Sequence, residues 1–138
     1  MVNSPLLNEL LSNFLNEIPE LIAALVIDLD GLIIAERSIK EFNEELIGVI
    51  VSVIEQNVSK IKRFTDTSLG SGTLDTSEFR LFYVELGKLT PALFVLVFDL
   101  YSNLDNVVPY SYIVAENVSK VLNNQEVSTH LPKLKDNG

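Results

Sequence analysis

Apolar residues recur along this chain in two rhythms, and the rhythms assign its elements. From Leu6 to Leu15 they fall three and four apart, at Leu6, Leu7, Leu10, Leu11, Phe14 and Leu15, which is the spacing of one helix face. Asn3 or Ser4 can cap that helix, Pro5 suits its first turn, and Pro19 fits a stop near Ile18. Ile22 to Leu29 is nearly all apolar, as in a strand covered on both faces. Asp30-Gly31 is a tight-turn pair, and Leu32 to Glu36 follows as the second arm of a hairpin.

Asn43 to Phe64 returns to helical spacing, with Asn43 as cap and Glu44 and Glu45 in the first turn. Leu46, Ile50, Val53, Asn57, Ile61 and Phe64 fall on one face. Ile47, Val51, Ile54 and Val58 widen it on one side, and Val49 on the other. The apolar arc reaches roughly 200°, against roughly 100° or more for an ordinary surface helix. Such a helix buries two sides. One side lies on its own sheet. The other, expected at Ile47, Val51, Ile54 and Val58, meets a second copy or a related subunit. Gly48 and Ser52, four residues apart, either admit a close helix or are simply small residues of the polar side. Ser52, Glu55, Gln56, Ser59, Lys62 and Arg63 belong to the narrow wet side.

Thr67 to Leu74 is polar and carries Gly70 and Gly72, so it suits a sheet edge. After a turn at Asp75-Thr76-Ser77 come two strong strands, Glu78 to Leu86 and Ala92 to Leu100, joined by the short loop 87–91. The second of these is the most apolar strand and is expected at the sheet centre. A last helix begins near Val108, with Val108, Tyr112, Ala115, Val118 or Ser119, and Leu122 as its core stripe. Residues 1–124 form one domain, and 125–138 a polar, mobile tail.

The order is helix, two strands, helix, three strands, helix. The pattern predicts an α+β fold in three α/β/α layers, with a five-stranded antiparallel sheet in the order 2-1-5-4-3. The second helix is expected on one face, and the first and third on the other.

Composition narrows the function. The 138 residues are 47% hydrophobic, with a formal charge of −9 and a mean hydropathy of +0.27. No stretch approaches the roughly 20 apolar residues of a membrane span. The Met1–Pro5 start lacks the basic region of a signal peptide, so a cytoplasmic protein without membrane insertion is expected. Basic residues are few and cluster only at Lys60, Lys62 and Arg63, where they offset a helix dipole. That argues against nucleic acid.

Catalytic chemistry finds little footing. Cysteine is absent and the single histidine, His130, sits in the tail, so no nucleophile–base pair is in sight. Asp28 and Asp30 resemble a metal pair, but they flank a turn and lack a third ligand of matching spacing. Gly70-Ser71-Gly72-Thr73 lacks the lysine and helix of a phosphate loop. Phe79, Phe82, Tyr83, Phe94 and Phe98 either fill a core or line a ligand cavity. No catalytic residue, cofactor or metal is expected.

From Leu6 to Asn123 the chain resembles a roadblock / dynein-light-chain domain. The likeness is carried by the strand ending Asp28-Leu29-Asp30-Gly31 with LIIA behind it, and by the helix ELIGVIVSVIEQNVSKI. The Gly- and Thr-rich strand, the pair FRLFYVEL and ALFVLVFDL, and the amphipathic last helix complete it. Profilin and longin modules have a similar sheet. The resemblance implies a homodimer or a heterodimer with a paralogue, with third strands paired edge to edge and second helices side by side. Leu69, Ser71 and Thr73 then join Ile47, Gly48, Val51, Ile54 and Val58 in the dimer interface. It further implies a scaffold or regulator of a Ras-like small GTPase, or a dynein-type adaptor. Ser52, Glu55, Gln56, Ser59, Lys62 and Arg63 would be the partner surface. The rival expectation is a ligand-sensing module of related topology.

Overall fold

The computed structural model describes residues 4–28, 30–39, 44–59, 70–86 and 92–133. Helix α1 spans Ser4–Glu17, strand β1 Leu21–Asp28 and strand β2 Ile33–Ser38. Helix α2 spans Glu44–Ile54 and continues as a π-helical turn over Glu55–Ser59. Strands β3 (Ser71–Asp75), β4 (Phe79–Leu86) and β5 (Ala92–Asp99) precede helix α3, Val107–Leu122. The five strands form one antiparallel sheet in the order β2-β1-β5-β4-β3, as the sequence pattern predicts.

Apolarity dictates that order. β1 and β5 have interior residues buried on both faces, so each needs a neighbour on either side and a helix layer above and below. Leu7, Leu10, Leu11 and Phe14 of α1, with Val114, Val118 and Val121 of α3, pack on Ala24, Val26, Phe94, Leu96 and Phe98. The opposite core joins Ile47, Ile50, Ile54 and Val58 to Ala23, Leu25, Ile27, Leu81, Leu93, Val95 and Val97. Phe14 stacks between Phe94 at 5.9 Å and Tyr110 at 5.8 Å between ring centroids.

The β1–β2 turn is made by Asp28. Its Oδ1 accepts from the backbone N–H groups of Asp30 and Leu32, each at 2.9 Å, and Gly31 supplies a φ of +86°. Asp28 thus serves the turn. Among the described residues no group of carboxylates or His could hold a metal, and no helix is long and apolar enough to cross a membrane.

Two expectations are corrected. The core stripe of α3 runs through Val107, Tyr110, Ser111, Val114, Ala115, Val118, Val121 and Leu122. Tyr112 stands outside it, 45% exposed, with its ring edge-on to Phe82 at 6.1 Å. Ser111 can lie in the core because its hydroxyl donates to the Val107 carbonyl at 2.7 Å.

The second correction is the tail. Asn124 adopts φ +58°, turning the chain back at the end of α3. Residues 125–133 then return along α3 towards α1. Leu131 is buried and Val127 packs on the core. Asn13 Nδ2 donates to the Thr129 carbonyl at 2.8 Å, and the Tyr110 hydroxyl donates to the carbonyl of Pro132. Two apolar side chains and a buried tyrosine hold a stretch whose composition alone reads as loose.

Candidate functional site

The two sheet edges are β2 and β3, and they are prepared differently. On β2, Ile39 donates its N–H to Ile22, next to the Ala23–Ser38 pair. Alternation therefore turns the backbone groups of Ser38 and Glu36 outward. The Arg37 guanidinium donates to the Glu36 carbonyl at 2.9 Å, covering an outward acceptor. A charged side chain laid along an edge hinders addition of another strand.

β3 carries no such cover among the described residues. Glu85 donates to the Gly70 carbonyl and Thr76 to that of Phe79. Gly72 and Leu74 therefore bond inward to Tyr83 and Leu81. Ser71, Thr73 and Asp75 turn their N–H and C=O groups outward, and all three side chains are exposed. These side chains share a face with Phe82, on the α3 side of the sheet. Gly72 and Leu74 face the α2 side.

Gly72 is small for a local reason. A Cβ there would overlap the Tyr83 ring and hydroxyl. Tyr83 covers β3 from the α2 side, and the Ser71 hydroxyl bonds that of Tyr112 on the other. At the far end of β3, Arg80 donates bidentately to Asp75, at 2.9 and 3.1 Å, and to the Ser102 carbonyl at 2.9 Å. The Arg80 hydrogen bond holds the Asp75 carboxyl below its usual range, and the same bond raises the Arg80 guanidinium. Thr73, Asp75, Arg80, Tyr101, Asn103 and Asp105 line an open groove of about 390 Å³ here.

Helix α2 lies on the other face of the sheet, over β1, β5 and β4. Its rotation differs from the sequence expectation. Ile47, Ile54 and Val58, expected to face another subunit, are at most 6% exposed and pack on the chain's own sheet with Ile50. Val51 is half-buried, near the point where a side chain on Gly31 would meet Glu55 Oε2 at 2.9 Å. Val51 and Glu55 thus look towards the β1–β2 turn. By helical spacing Val49 and Val53 lie on the opposite flank of the helix, away from that turn. Val49 is 58% exposed, Val53 is half-buried, and Leu46 above them is also half-buried. On the sheet beyond, Leu74, Phe79 and Tyr83 are only partly covered. The surplus apolar surface of α2 is therefore its Val49–Val53 flank, and Leu74 of β3 packs against the same core as Val53.

The remaining sequence candidates fall as follows. Gly48, Ser52 and Gln56 are exposed, and open space surrounds the Gly48 α-carbon. The Asn57 side chain donates to the Val53 carbonyl at 2.8 Å, where the helix changes to its π turn. Ser59 ends that turn. Leu69, Lys62 and Arg63 lie outside the described residues. Of the aromatic set, Phe94, Phe98 and Phe82 are buried in the α1–α3 core, and Phe79 and Tyr83 are partly buried on the α2 side. Sequence reasoning missed Tyr101, which is 91% exposed beside β3. Only its position between two apolar elements could have marked it.

Neither a protein-family model nor a curated protein matches the sequence. Solved structures do match the fold. The gliding protein MglB from Thermus thermophilus aligns with a TM-score of 0.71 at 20% identity, over 88% of this chain and 91% of that one. An MglB described as having a tetrameric arrangement aligns at 0.66 and 21%, over 88% and 90%. A roadblock/LC7 domain from Streptomyces aligns at 0.62 and 14%, over 80% and 95%. The chain has the roadblock/LC7 fold. In it, the sheet presents one covered edge, β2, and one uncovered edge, β3.

Proposed function

We propose that this chain is a dimeric interaction module of the roadblock type, without catalytic activity, acting as scaffold or regulator of a Ras-like small GTPase. The observation that carries it is the uncovered β3 edge together with the exposed apolar flank of α2 at Val49 and Val53, with Leu74 of β3 and Val53 packed against one core. Both features call for the same remedy, a second subunit beside β3. Edge pairing would continue the sheet from one subunit into the next, and the α2 helices would meet along their Val49–Val53 flanks. Gly48 and Ser52 would allow their close approach. An interface of about 1,200–2,000 Å² in total is expected of a stable pair. A fold neighbour described as a tetrameric arrangement supports self-association.

The GTPase part rests on the roadblock resemblance. The exposed Ser52 and Gln56, with Glu55, Ser59, Lys62 and Arg63, would rim the paired helices and form the contact surface. A GTPase lying across the two-fold axis would block the second half-site, so one GTPase per dimer is expected. The test is light scattering of the full chain, then binding to small GTPases of the source organism loaded with GDP or a GTP analogue. A dimer mass that binds one nucleotide state preferentially is the expected result. A 15.4 kDa monomer with and without paralogues, or no binding to any small GTPase, would overturn it.

A further inference from the structure

Three large side chains remain exposed on the α3 side: Tyr101 at 91%, Tyr112 at 45% and Ile113 at 47%. Tyr112 and Tyr101 stand at opposite ends of β3. Tyr112 is bound to Ser71, and Tyr101 lines the groove with Thr73, Asp75 and Arg80. From this arrangement we infer that in the dimer each groove receives the Tyr112 of the partner subunit, with the two β3 strands paired in a register centred on Thr73. The inference rests on the dimer reading above and specifies which residues meet.

The register follows from backbone parity. Ser71, Thr73 and Asp75 are the β3 residues whose N–H and C=O groups point outward. A two-fold axis through Thr73 sets Thr73 opposite its own copy and Ser71 opposite the partner's Asp75. All three outward positions of each strand are then bonded, whereas a centre at Ser71 or Asp75 leaves part of each described strand unmatched. An axis normal to the sheet keeps the α3 faces on one side. Side chains directly opposite in a hydrogen-bonded pair lie about 5.5 Å apart at Cα. Ser71 carries the Tyr112 hydroxyl with it, and the partner's Asp75 carries its bound Arg80 and the groove beside it.

The chemistry is complementary on both sides. The Asp75 carboxylate, held ionised by Arg80, accepts from a phenol. The exposed Tyr101 ring offers an apolar face to Tyr112 and Ile113. Because the interface is two-fold, the contact occurs twice, so a change at either tyrosine weakens both copies. A paralogue lacking one of the tyrosines would lose one of the two seats, which makes this seam a determinant of partner choice.

The chain has no cysteine, so cross-linking reads the register directly. Thr73→Cys is expected to form an intersubunit disulfide under mild oxidation, since a Cα separation near 5.5 Å suits one. Ser71→Cys and Asp75→Cys are expected to cross-link when mixed and not alone. Tyr101→Ala and Tyr112→Ala are each expected to raise the dimer dissociation constant about tenfold or more, with the circular dichroism spectrum unchanged. A dimer by light scattering in which Ser71→Cys pairs with itself, or in which both tyrosine variants bind normally, overturns this inference and leaves the dimer reading standing. A monomer overturns both.

Discussion

The Tyr83 side chain lies against the α-carbon of Gly72, its cross-strand partner, so closely that a Cβ there would overlap its ring. The contact fixes a tyrosine over the edge strand. Gly72→Ala must displace Tyr83 from its half-buried seat, and overpacking of this kind costs about 1–3 kcal/mol. Tyr83→Ala in the same chain removes the clash. Urea denaturation of the two single variants and the double should therefore show a favourable coupling between them. Additive losses would mean that the glycine serves the strand backbone and not the tyrosine.

The rotation of α2 makes a prediction that separates folding from assembly. Val49→Asp adds a charge to an exposed position, so the isolated subunit should keep its fold. In the proposed interface the same charge is buried unpaired, at a cost of several kcal/mol, and light scattering should report dissociation. Ile54→Asp places the charge in the chain's own core, where Ile54 is fully buried, and should unfold the subunit by circular dichroism. Gln56→Lys on the wet side should alter neither. If Val49→Asp leaves the association intact, the Val49–Val53 flank is not the interface.

The strand order was legible because burial on two faces leaves a mark in composition. Ala23 to Ile27 and Ala92 to Phe98 are apolar at odd and even positions alike, so each had to be interior, while Ser71 to Asp75 had to be an edge. The rotation of α2 was not legible for the opposite reason. An apolar arc near 200° has no single centre, so Ile47 and Val53 look interchangeable from spacing alone. In the structure the Val51–Glu55 flank lies beside Gly31 of the β1–β2 turn, a neighbour that helical spacing does not name. Tyr112 was misassigned to the core stripe by one helical step. The register of β3 rests on which N–H points outward, which sequence does not record. The tail was misread because Leu131 and Val127 are isolated apolar residues in a polar stretch, and Tyr110 is the distant partner that fixes it.

That tail contact is sensitive to alkali. Burial raises the Tyr110 hydroxyl above its ordinary value of 10.0, with a smaller contribution from the charge of Glu17. A group whose pKa is raised on folding contributes stability that is present below the unfolded value and is lost as pH rises through the folded value. The phenol also donates to Pro132, and a phenolate has no proton to give. Stability and tail docking should therefore hold to about pH 10 and fall above it. Tyr110→Phe should lose about 0.5–1.5 kcal/mol at neutral pH and flatten the alkaline limb, as followed by amide exchange at Thr129 and Leu131. An unchanged alkaline limb in Tyr110→Phe would mean that another group titrates.

The last prediction concerns how a GTPase would be regulated. An activator can insert an arginine worth about 10³–10⁵ in rate. Such a residue must be free to leave its own subunit and reach the phosphates. Arg80 is held at three points, twice by Asp75 and once by the Ser102 carbonyl. Arg37 lies along the β2 edge on the Glu36 carbonyl, on the strand farthest from β3 in the sheet. Neither is placed to serve. Single replacement of Arg37, Arg63 or Arg80 by Ala should therefore lower any stimulated hydrolysis by far less than the ~10³-fold expected of an inserted arginine. Arg80→Ala should instead weaken dimerisation, because it frees Asp75 beside the β3 edge. The two effects separate in a titration: a lower apparent affinity restored at high protein concentration marks an assembly defect, whereas a lower rate at saturation marks a catalytic one. A saturated rate reduced about 10³-fold at any of the three would establish an arginine supplied in trans.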